Sequence, residues 1–120
     1  MIEKIILDHL TSCLRVPVYL EHRPDEPDSF VLIERIGSST DNLITTVSFA
    51  IQSYGSSMLE ACRLNEEVKE AMDRSIDLNS ISRVSLDTDY NFTDTETKRY
   101  RYQAIYDLVL FCTNPLRGGG

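Results

Sequence analysis

Residues Lys98–Phe111 read KRYRYQAIYDLVLF, with basic and aromatic letters interleaved at first and apolar letters after. Two readings compete. Arginines set between aromatic rings make a nucleic-acid surface, with bases stacked on tyrosine and phosphates held by arginine. The same letters also make one long amphipathic strand whose tyrosines face the interior. In an extended strand Tyr100, Tyr102, Ala104, Tyr106, Leu108 and Leu110 share one face, and Arg101, Gln103, Ile105, Asp107, Val109 and Phe111 share the other.

The segment before it decides between them. In SRVSLDTDYNF the apolar residues Val84, Leu86, Tyr90 and Phe92 all fall at even positions. A hairpin centred on Glu96 sets Phe92 opposite Tyr100, Tyr90 opposite Tyr102, Leu86 opposite Tyr106 and Val84 opposite Leu108. A slip of one residue would set the same side chains against Arg101, Gln103 and Asp107. The pattern therefore predicts a continuous ladder of tyrosines grading into the core, with the arginines on the far face. A strand of about twelve residues spans roughly 40 Å at about 3.3 Å each. A domain of this size has a radius of gyration of about 14 Å and a diameter near 35 Å. The hairpin must bend at a bulge or project.

The rest of the chain supplies a body for that hairpin. Ile2, Ile5, Ile6, His9, Leu10 and Cys13 recur at helical spacing, with Glu3, Lys4, Asp8 and Thr11 opposite. VPVYLEH reads as a short strand with Pro17 suited to an edge, and RPDEPD as a loop. FVLIERI, from Phe30 to Ile36, is a strand closed by a polar turn GSSTDN. In TTVSFAIQSY, Thr45, Val47, Phe49 and Ile51 share one face. Ser57 caps a second helix, with Glu60 at capping-box spacing and an apolar stripe of Met58, Ala61, Leu64, Val68, Ala71 and Met72. The order is α-β-β-β-α-β-β. Short connections favour antiparallel pairing, and two amphipathic helices each need an apolar surface. The expected fold is α+β: a two-layer sandwich with both helices on one face of a mainly antiparallel sheet and a long C-terminal β-hairpin.

Composition narrows the chemistry. The 120 residues are enough for one domain that buries roughly two-thirds of its unfolded surface. A net charge of −7 and a pI near 4.7 argue against a domain held to nucleic acid by phosphate neutralisation. Cys13, Cys62 and Cys112 are odd in number and far apart, so they form neither a disulfide framework nor a zinc site. The charged N-terminal stretch MIEKIILDHL reads as neither signal peptide nor membrane span. The sequence contains no GxGxxG, Walker loop, GxSxG or HExxH. His9 reads as a helix-flank boundary residue and His22 as a surface residue. Asp87, Asp89 and Asp94 lack EF-hand spacing and read as a solvated strand edge. No catalytic, cofactor or metal residues are expected. The LRGG of the tail resembles the end of ubiquitin-like modifiers, but those domains open with a β-hairpin and this chain with a helix. Residues 116–120 read as a flexible glycine tail after a single domain over 1–115.

An ordered set of residues carries a further resemblance. A strand ends in Glu34, Arg35 and Gly37; a second finishes in Gln52 and Tyr54; an alanine-bearing helix follows with Ala61. Then comes a hairpin bearing Tyr90, Phe92, Asp94, Arg99, Tyr100 and Tyr102. This set, covering nearly the whole chain, resembles the tail terminator (tail completion) proteins of long-tailed bacteriophages and prophages. The resemblance implies a non-enzymatic α/β subunit of the virion neck, assembled in the host cytoplasm. It implies a homo-oligomeric ring, usually a hexamer, that caps the tail tube, stops its polymerisation and meets the head-tail connector. Neither a membrane nor tight nucleic-acid binding is expected. Phe92, Asp94, Arg99, Tyr100, Arg101 and Tyr102 are the expected subunit or tube contacts, with Glu66, Glu67 and Glu70 of a neighbour as receivers for the arginines. A head-tail joining protein is the near alternative, and a nucleic-acid-binding module the more distant one.

Overall fold

The structure, a computed structural model, describes residues 1–111. The expected glycine tail, Cys112 and the domain limit at 115 lie outside the described residues. Helix α1 (Ile2–Cys13) leads into a two-residue strand β1 (Val18–Tyr19) and then β2 (Phe30–Asp41) and β3 (Ile44–Gly55). Helix α2 (Met58–Arg74) and a 3-10 turn (Ser75–Asp77) precede β4 (Ile81–Asn91) and β5 (Tyr100–Leu110). The fold is α+β in the anticipated element order. Five strands form one sheet, β1-β2-β3-β5-β4, antiparallel except for the β1–β2 pair. Among the described residues no helix is long and apolar enough to cross a membrane.

The core forms where the periodicities require it. Ile6 and Leu10 of α1 and Leu64, Val68, Ala71 and Met72 of α2 join Val31, Ile33, Val47, Phe49, Ile51, Ala104, Tyr106 and Leu108 in a single apolar cluster. Burial pushes the Tyr106 phenol up to about 12. The Ser57 hydroxyl accepts the Glu60 amide at 3.2 Å, the first half of the anticipated capping box. The second half is missing. The Glu60 carboxylate turns outward to Arg63 at 3.0 Å and Arg15 at 3.6 Å. Gly55 lets α2 start directly against the end of β3, because a Cβ there would collide with the backbone of Glu60 and Ala61. His9 is a boundary residue as expected, its Nε2 lying 2.7 Å from the Ala71 carbonyl.

Two features correct the sequence reading. First, GSSTD is not a turn: β2 continues through it to Asp41, and β3 begins at Ile44. The turn is Asn42-Leu43, both at positive φ (52° and 68°), the two-residue geometry that matches strand twist. Small polar residues resemble a turn by composition, but here they pair, with Thr40 and Thr45 hydroxyls 3.1 Å apart. Second, the tyrosine ladder breaks. Val84 faces Leu108 and Leu86 faces Tyr106 as anticipated, but a bulge at Asp87 then shifts the register. Beyond it Tyr90 faces Gln103 and Asn91 faces Tyr102. One extra residue reverses side-chain parity, so Tyr90 and Phe92 move to the arginine face. The hairpin's length is accommodated both by bending and by projection. The C-terminal hairpin carries bulges, and the molecule is still elongated, 50 × 25 × 23 Å with a radius of gyration of 15.2 Å.

Candidate functional site

The sheet face turned away from the helices carries a second, smaller cluster at the end where β2 begins and β3 finishes. Phe30 and Tyr54 are cross-strand partners, and their rings stack at 4.4 Å, 8° from parallel. Residues 20–29 fold over them. His22 meets Tyr54 edge-on at 5.7 Å, and Tyr19 tilts against Phe30 at 5.7 Å. Onto this aromatic base the start of β5 and the residue just before it lower two arginines. The Arg99 guanidinium lies 4.9 Å from the Tyr54 ring centre, and that of Arg101 lies 4.3 Å from Phe92. Both are cation–π distances.

Hydrogen bonds then occupy the arginines. Arg101 donates from Nε to the Phe92 carbonyl and from Nη1 to the Tyr54 hydroxyl, each at 2.7 Å. Tyr54 donates to Gln52 Oε1 at 3.2 Å, Gln52 donates to Gln103 at 2.8 Å, and Gln103 donates to the Tyr90 hydroxyl. This chain of donors crosses β3, β5 and β4 and satisfies two buried glutamine side chains. Arg99 donates to Glu26 at 3.1 Å, and the same carboxylate receives the Arg23 amide at 2.9 Å and sits 2.7 Å from His22 Nδ1. Burial by itself would raise the Glu26 carboxyl, but the Arg23 amide, His22 and Arg99 together hold it below the usual carboxylate range. Glu26 thus latches the loop to the β4–β5 tip.

The six residues expected to form one contact surface divide. Phe92, Arg99 and Arg101 meet on this open face. Tyr100 and Tyr102 are half-buried on the helix side of β5, and the nearby Cys62 of α2 holds the Tyr102 phenol above its usual value. Asp94 shapes the turn, accepting the amides of Glu96 at 2.9 Å and Thr97 at 3.5 Å, which keep its carboxyl low. Two of the three acids expected as receivers are engaged within the subunit, Glu67 with Arg15 at 3.1 Å and Glu66 with Lys69 at 2.8 Å. Two other expectations change. His22 is part of the latch as well as a surface residue. Asp89 is not a solvated edge carboxylate, for Lys69 at 3.0 Å and Asn65 at 2.8 Å bind it and hold its pKa down.

Sequence reasoning missed Phe30, Tyr54, His22, Glu26 and the glutamine pair. One signal was available: Tyr54 alternates with the core side of β3 and puts a large aromatic where a polar residue belongs. Chemically the face is a connected set of donors and acceptors, with both arginines bonded to internal acceptors. Among the described residues no group of three or more His, Cys, Asp or Glu side chains is arranged to hold a metal ion. A recess of about 440 Å³ lies beside the latch, lined by Pro24, Glu26, Asp28, Ser56, Lys98 and Tyr100 among others. The chain matches no family model and no curated protein.

Proposed function

We propose that this chain is a structural tail terminator of a long-tailed phage or prophage. Copies of it form a ring, six in the expected case, on the end of the tail tube, stop the tube growing and offer the head connector a surface. The observation that carries this reading is the placement of exposed apolar side chains at two separate sites on an elongated acidic subunit. Tyr90 and Phe92 are 40% and 39% exposed on the arginine face of the outer strand β4 and its continuation, while Ile36, Leu43 and Ile44 are 51–78% exposed on the β2–β3 hairpin. A ring contact is heterologous and needs two different patches of one chain. Acidity also suits a conduit for DNA, since tight phosphate contacts would retard passage.

Within this proposal Phe92 is the aromatic anchor of the tip, and Asp94, Arg99, Tyr100, Arg101 and Tyr102 hold it in position. Truncating a buried interface anchor costs on the order of 2 kcal/mol or more. Arg101→Glu is a poor probe of the contact, because Arg101 also supports Tyr54 and the Phe92 carbonyl inside the subunit. Phe92→Ala is the cleaner one. The test is electron microscopy of tail-tube protein polymerising with and without the purified chain. The expected result is arrested tubes with ring density at one end, and weaker arrest with Phe92→Ala. Tubes that grow to the same lengths with no end density would reject the terminator reading. If the chain bound the connector alone, the head-tail joining alternative would replace it.

A further inference from the structure

Residues 20–29 cross the open sheet face between β1 and β2, and little holds them there. Among the described residues no backbone hydrogen bond joins them to the rest of the chain, and none of them belongs to either apolar cluster. All are exposed except Glu26 and Ser29. Two side-chain contacts reach polar groups of the body: Arg99 donates to Glu26 at 3.1 Å, and His22 Nε2 lies a long 3.5 Å from the Tyr54 hydroxyl. On one side the segment stands off the body across the recess of about 440 Å³, lined by its Pro24, Pro27 and Asp28 and by Ser56, Lys98 and Tyr100 of the body. Segments with few apolar contacts and no backbone ties are the ones that open locally.

We infer that residues 20–29 are a strap that opens as one body while the sheet and both helices stay folded, with the bond between Glu26 and Arg99 as its tie. The strap keeps its shape because Pro24 and Pro27 fix two φ angles. The Glu26 carboxylate also works inside it, accepting the Arg23 amide at 2.9 Å and lying 2.7 Å from His22 Nδ1. The body keeps its own bonds when the strap lifts. The Tyr54 hydroxyl still has Arg101 at 2.7 Å and Gln52 at 3.2 Å, so the donor chain through Gln103 to Tyr90 stays closed and no buried polar group is orphaned. Phe30 and Tyr54 belong to the smaller cluster, so wetting their outer side leaves the main core dry. Opening uncovers the stacked Phe30–Tyr54 pair and frees Arg99 beside Arg101. The closed strap therefore covers an aromatic, cationic surface and restrains the β4–β5 tip through Arg99.

The inference concerns a single subunit and does not depend on the terminator reading. A Glu-specific endoprotease tests it at the Glu21–His22 bond, which enters a protease only when its flanking residues are free to extend. Cleavage of the full chain then reports the population of the open strap. Replacing Glu26 removes no competing site, because proline follows it. Mass spectrometry follows cleavage at Glu21 in rising urea below the global transition, relative to an unstructured peptide carrying the same bond. Strap opening exposes little surface, so the wild-type rate should rise less than about twofold per molar urea, whereas a route through global unfolding would raise it about fivefold or more. Glu26→Gln and Arg99→Gln, with circular dichroism to verify folding, should each speed cleavage about tenfold. The double variant should be no faster than the faster single one, because both remove the same bond. A wild-type rate that tracks global unfolding, single variants that leave the rate unchanged, or a double variant whose acceleration is the product of the two, would overturn the inference.

Discussion

The two long hairpins end in opposite conditions. At the tip of β4–β5 the residues that pack on the sheet have internal partners: Arg99 holds Glu26, Arg101 holds Tyr54 and the Phe92 carbonyl, and Asp94 holds its own turn. Along the outer half of β2–β3 the side chains from Glu34 to Ile44 are exposed and the outer backbone edge is unpaired. Sequence pattern singled out the first hairpin for assembly, because its arginines and tyrosines are conspicuous. Physical accounting singles out the second. Conspicuous residues that satisfy one another are structural first, and a run of small, bland residues with open hydrogen-bonding groups is the more available surface.

That contrast can be broken most forcefully at Tyr54. Its ring is 2% exposed, stacks on Phe30 and carries the hydroxyl between Arg101 and Gln52. Tyr54→Ala should cost about 3–5 kcal/mol in urea unfolding. Leu43→Ser, an equally drastic change of character on the open hairpin, should stay within about 0.5 kcal/mol. Comparable losses for the two would erase the distinction.

A smaller effect tests the latch. Glu26→Gln keeps the shape and removes the charge that His22, the Arg23 amide and Arg99 address, and should cost about 1–2 kcal/mol near neutral pH. The sign with pH follows from the depressed carboxyl. The folded protein binds the proton less readily than the unfolded chain, so the stabilisation is complete above the ordinary carboxylate pKa of 4.5 and fades as pH falls through the lower folded value. Wild type and Glu26→Gln should therefore converge in stability in acid. A difference that persists unchanged to low pH would mean that Glu26 acts through shape alone.

Much of the fold was legible because it follows from periodicity. The α2 stripe from Ala61 to Met72, the Ser57 cap and the alternation around Phe49 each state their partner surface directly in the letters. The open face was less so. The bulge at Asp87 adds one residue without altering the local hydrophobic pattern, and it alone moves Tyr90 and Phe92 from the helix side to the arginine side. The Phe30–Tyr54 stack joins the open end of the long β2–β3 hairpin, where the register depends on the bulge at Ile36, and it is covered by a proline-rich loop whose path no periodicity records. The extent of β2 was hidden for a different reason. Gly, Ser and Thr favour turns locally, and only pairing with Thr45 to Ser48 makes them a strand.

The contrast between a tied hairpin and an open one is most directly tested by hydrogen exchange of the full chain, residue by residue. Amides of Phe92 and Asp94, which bond across the tip to the Arg101 and Arg99 carbonyls at 2.8 and 3.3 Å, should be protected. The outward-facing amides between Gly37 and Asp41 should exchange freely. Fast exchange at Phe92 and Asp94, or protection of the outward amides between Gly37 and Asp41 in a dilute sample, would contradict the account.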